Sequence, residues 1–79
     1  MAYRVLNAAR SWRFLETGAL GSKVEGAAWV RDRSEDAEHT RIIDAALGFQ
    51  RGDPIEPPAD AAVETFVGRV ERMLRQEIG

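Results

Sequence analysis

The sequence predicts an all-α fold, a small bundle of four helices, and three observations carry that prediction. Apolar residues recur at three- and four-residue spacing in four separate stretches. Gly18, Gly52 and Pro54 stand where such stretches stop. Ser22 and Glu25 have the spacing of a capping box, in which each side chain takes the other's backbone N–H, so a new helix starts there.

Taken in order, helix 1 is expected from Ala2 to Glu16, with Val5, Ala8, Ala9, Trp12 and Leu15 on one face. Tyr3, Arg10 and Phe14 form a second stripe, so the helix needs two partners. Either both stripes pack, with Arg10 in an ion pair, or the second faces a missing domain or a nucleotide. Periodic residues follow Met1 at once without a cap, the pattern expected of a chain cut inside a larger architecture. Gly18 then supplies the left-handed position past the helix end.

Helix 2 is expected from Lys23 to Arg33, burying Val24, Ala27, Ala28 and either Trp29 or Val30. The turn from Gly18 to Ser22 is short, which predicts a roughly antiparallel pair. Asp32 to Glu38 alternates in charge and reads as a loop into helix 3, expected from Ala37 to Gln50. Its apolar side is Ile42, Ile43, Ala46, Leu47 and Phe49, with His39 partly exposed. The segment DPIEPP from Asp53 to Pro58 is a stiff connector, because each proline fixes its own φ and restricts its predecessor. Helix 4 is expected from Asp60 to Glu77, with Val63, Phe66, Val67, Val70, Leu74 and Ile78 as its stripe.

Composition narrows the function. A chain of 79 residues is one domain, residues 1–79, near the size where a core supplies only about 3–5 kcal/mol. It has no cysteine for disulfides or thiolate metal sites, and one histidine, His39, makes no metal site alone. A net charge of −2 disfavours nucleic acid as a partner. A helix-turn-helix reading of the corner would present Val24, Glu25, Ala27 and Ala28 to DNA, which offers few donors. No signal peptide and no membrane span is visible, so a soluble, cytoplasmic chain without a membrane partner is expected. Of the 11 basic residues only Lys23 is a lysine.

Lys23 falls in the first turn of helix 2, where free N–H groups and the positive end of the dipole favour an anion. Arg10 should lie about 10–12 Å below that corner, at a rise of about 1.5 Å per residue. Both side chains could then converge on one extended anion, and a triphosphate suits that span better than a single phosphate. Asp32, Glu35, Asp36 and Glu38 lack ligand spacing and read as solvated surface. Glu16 falls in the apolar arc of helix 1 near Trp12, which predicts either fraying or a partnered structural carboxylate, the latter as the default.

From Leu6 to Trp29 the chain reads L-N-x-A-R-x-x-x-x-L-E-T-G-x-x-x-S-K-x-E-x-A-x-W. This string resembles the helical C-terminal domain of the aminoglycoside 3''-adenylyltransferases, the streptomycin and spectinomycin resistance nucleotidyltransferases. In that family the catalytic carboxylates and metal ligands belong to an N-terminal nucleotidyltransferase domain with a Gly-Ser and an Asp-x-Asp pair, which this chain lacks.

The resemblance implies that Arg10 and Lys23 contact ATP phosphates, and that Phe49 stands where the family often has a tyrosine near the nucleotide. Phe49 would stack without a hydroxyl to hydrogen-bond. The acidic residues that recognise streptomycin lie at or before Met1 in such an enzyme and are not carried over. The chain alone is therefore expected to catalyse nothing. Paired with a separate catalytic domain that holds Mg, it would help transfer AMP from ATP to an aminocyclitol hydroxyl. The alternative is a non-catalytic interaction module that self-associates through helix 1.

Overall fold

The computed structural model describes residues 1–78, with side chains as far as Gln76. Four helices follow one another, α1 (Ala2–Thr17), α2 (Lys23–Arg33), α3 (Ala37–Arg51) and α4 (Asp60–Ile78), and the described residues contain no strand. The fold is thus the small all-α bundle that the periodicity predicts. Helix ends differ from expectation by no more than one residue, except that the loop before α3 shrinks to residues 34–36. There Asp36 caps α3 by accepting from the N–H groups of Glu38 and His39, which holds its carboxyl below the ordinary range. Ile78, assigned above to the α4 stripe, has its side chain outside the described residues.

α1 and α3 each touch the three other helices, whereas α2 and α4 flank them without meeting among the described residues. Being covered on three sides, α1 buries Ala2 and Leu6 as well as Val5, Ala8 and Ala9. The core adds Ala27 and Val30 from α2, Ile42, Ile43 and Ala46 from α3, and Val63, Phe66, Val67 and Val70 from α4. Trp12 packs on its edge, half-buried.

α1 and α2 do not form an antiparallel hairpin. Lys23 meets Tyr3, Gly26 meets Arg10, and Trp29 and Arg33 share a cleft with Trp12 and Glu16. Contacts therefore advance in the same sense along both helices, which cross at Gly26. A Cβ on Gly26 would stand 2.6 Å from the Arg10 Cα, so only glycine admits this approach. The turn is long enough for the crossing: five extended residues reach about 17 Å, against roughly 10 Å back along α1 from Thr17 to Arg10. In consequence Val24 and Ala28, expected in the core, are exposed, and Gly26, Ala27 and Val30 are buried.

Three further expectations are corrected. His39 is buried rather than partly exposed, at 6%. It heads the Ile42, Ile43 and Ala46 stripe of α3 and lies edge-on to Trp12 at 6.0 Å and to Phe66 at 5.3 Å. Burial is the main cause that pushes its imidazole below the ordinary value, with Asp36 pulling the other way. Glu16 is exposed at the end of α1 and makes no ion pair among the described residues. Phe49 is 59% exposed and does not join the core face of α3.

Candidate functional site

The corner between α1 and α2 is set by local chemistry. Gly18 takes φ 74° and donates its N–H to the Phe14 carbonyl at 2.8 Å, which ends α1. Ser22 donates its N–H to Glu25 Oε1 at 3.0 Å, and its Oγ accepts the Glu25 N–H at 3.0 Å. The capping box is complete, and the backbone N–H of Ser22 holds the Glu25 carboxyl below its ordinary range.

Two cations are fastened at this corner. Arg10 donates Nε–H to the Gly21 carbonyl at 2.8 Å, so its guanidinium is tied to the approach of α2. Among the described residues no hydrogen bond or ion pair takes its two terminal NH₂ groups, so the ion pair expected of Arg10 if both stripes packed is not formed there. Lys23 Nζ lies 4.5 Å from the centre of the Tyr3 ring. A third cation, Arg13, runs beneath Gly21 with Nε and Nη1 buried and without acceptors among the described residues. A Cβ on Gly21 would overlap that Nη1, so the glycine makes room for it.

Arg10 also lines a groove of about 250 Å³ with Asn7, Ser11, Phe14, Leu20 and Leu74. A shallower groove continues it towards the start of α1, sharing Asn7, Ser11 and Leu74 and reaching Tyr3 and Val70. Tyr3, Phe14 and Leu20 are 68%, 47% and 68% exposed along this strip. The second stripe of α1 is therefore an open face.

The structure brings Arg10, Lys23 and Tyr3 to one helix crossing. It does not bring Phe49 into the groove that Arg10 lines. Tyr3 as the seat of Lys23 escaped the sequence reading, although its seven-residue distance from Arg10 already put both on one face. Among the described residues no group of three or more His, Asp or Glu could hold a metal ion. None of the described helices is long and apolar enough to cross a membrane.

These features define a helical domain with cations and open apolar surface on one face of its central helix. Residues 1–74 match the family model described as aminoglycoside adenylyltransferase, C-terminal domain. The chain therefore belongs to the aminoglycoside adenylyltransferase family, as its C-terminal domain. Comparison with curated proteins and with solved structures gives no match.

Proposed function

We propose that this domain supplies the helical half of an ATP-phosphate site, and that a separate nucleotidyltransferase domain docks on the open stripe of α1 to complete it. In the reaction so assembled, a hydroxyl oxygen of an aminocyclitol antibiotic attacks the α-phosphorus of ATP. The bond to the β-phosphate oxygen breaks, pyrophosphate leaves, and the hydroxyl proton passes to a base on the catalytic domain. That domain would also hold Mg. Arg10, a fork, and Lys23, a point charge, would steady the phosphates.

The observation that carries this reading is the Arg10 guanidinium, anchored through Nε to Gly21 with its terminal NH₂ groups unengaged among the described residues. Its neighbours support it. Lys23 stands in the first turn of a capped helix, where backbone N–H groups favour an anion. Phe49, outside the groove, is left as a stacking contact that depends on the catalytic domain.

An amide NMR titration with Mg-ATP, repeated on Lys23→Ala, tests the reading. Half a site should bind with a Kd on the order of 1 mM, equivalent to about −4 kcal/mol. Saturable shifts at Arg10 and residues 18–24 that vanish in the variant are expected. A well-dispersed spectrum that stays unshifted at millimolar ATP contradicts it. A homodimerising interaction module is the second reading, favoured by the exposure of Tyr3, Phe14 and Leu20 on one strip. A strict monomer in sedimentation counts against that one.

A further inference from the structure

We infer that Tyr3 is a positioning residue for the phosphate site, holding the Lys23 ammonium over its ring so that Lys23 and Arg10 present one pre-arranged pair of cations. The inference rests on the nucleotide reading above and adds to it a residue that reading does not need.

Lys23 Nζ is 4.5 Å from the Tyr3 ring centre, inside the distance of about 6 Å at which the ring quadrupole attracts a cation. Tyr3 is 68% exposed, so the core does not require it, yet it lies where the crossing of α1 and α2 delivers Lys23. A free lysine side chain loses more rotamer freedom on binding a phosphate than one already held. The ring covers one side of the ammonium and leaves its other side to an anion. Tyr3 and Arg10 share a face of α1 two turns apart, about 10 Å along the axis. Each cation thus has its own seat on α1 or at its corner: one rests on Tyr3 and the other is tied to Gly21.

The test uses Tyr3→Leu and Tyr3→Phe, with two readouts. Lys23 is the only lysine, so its side-chain methylene signals are unique in the spectrum. They should lie upfield in the wild type and in Tyr3→Phe through the ring current, and return to the random-coil position in Tyr3→Leu. Mg-ATP should bind the wild type and Tyr3→Phe alike and Tyr3→Leu roughly two- to fivefold more weakly, the fold-change of an exposed cation–π contact. A merely structural tyrosine would change stability while leaving the affinity of the folded chain intact. Random-coil Lys23 signals in the wild type, or undiminished ATP binding by folded Tyr3→Leu, would overturn the inference alone. A wild type that binds no ATP overturns the nucleotide reading and this inference with it.

Discussion

The two sides of α1 are built from similar numbers of large residues and have opposite fates. On the inner side Val5, Leu6 and Ala9 are fully buried among α2, α3 and α4. On the outer side Tyr3 and Phe14 stay exposed, with Arg10 and Leu20 beside them. The inner side is paid for by the fold. Among the described residues the outer side is covered only where α2 crosses at Arg10, and Tyr3 and Phe14 on either side of that crossing stay largely open. One helix thus carries both the centre of the core and an open apolar strip.

The sharpest way to break the comparison is to truncate one aromatic of the core that the inner side joins, Phe66 of α4, and one on the outer side, Phe14. Phe66, fully buried against Trp12 and His39, should cost about 3–5 kcal/mol on change to alanine. That equals the whole stability expected of so small a core, so urea or thermal melts should find Phe66→Ala largely unfolded. Phe14→Ala should cost about 1 kcal/mol, because its ring is 47% exposed and lies outside the core. Equal losses would mean that the stripe is structural.

A middle-sized effect joins the two sides at the helix crossing. Gly26→Ala would gain helix propensity, yet its Cβ would press on the Arg10 backbone from 2.6 Å. A net loss of about 1–3 kcal/mol is expected from the forced separation. It should also weaken Mg-ATP binding more than Phe14→Ala does, since it moves Gly21 and Lys23 away from Arg10 and Tyr3.

The smallest effect belongs to His39 and the core alone. Burial makes its imidazole harder to protonate in the fold, so the unfolded chain takes up the proton first. Stability should then fall as pH drops below about 6.5, the unfolded value, and level off once pH passes the lowered folded value. Asp36, Arg69 and Glu38 are the charged groups that act on it. His39→Phe should flatten the pH dependence of the melting temperature between about pH 6.5 and 5, above the carboxylate range. An unchanged slope would show that His39 is not its source.

Much of this was legible because its causes are local. Gly18, Ser22 with Glu25, Gly52 and the prolines each act within one turn of chain, and the helix limits follow from them. The turn and cap of the corner were legible for the same reason, but the place of Lys23 was not: it lies over Tyr3, past Arg10, rather than at the Thr17 end of α1. What the sequence hid depends on which helix packs on which. His39 reads as polar until its stripe with Ile42 and Ile43 is seen to face Trp12 and Phe66. Gly26 reads as a weak helix residue until another backbone is found against it. Its crossing in turn decides that Lys23 meets Tyr3, that Val24 faces solvent, and that the expected antiparallel pairing fails.

On the proposed function, the outer side of α1 is where a catalytic domain docks and completes a phosphate site. The most direct measurement mixes this chain with a separately expressed nucleotidyltransferase domain of the same family and follows AMP transfer from ATP to streptomycin and to spectinomycin. Transfer is expected in the mixture, none with this chain alone, and loss on Phe14→Asp, which charges the stripe without touching the buried core. Transfer that is indifferent to Phe14→Asp, or a mixture that is inactive while the two domains bind through another surface, would contradict it.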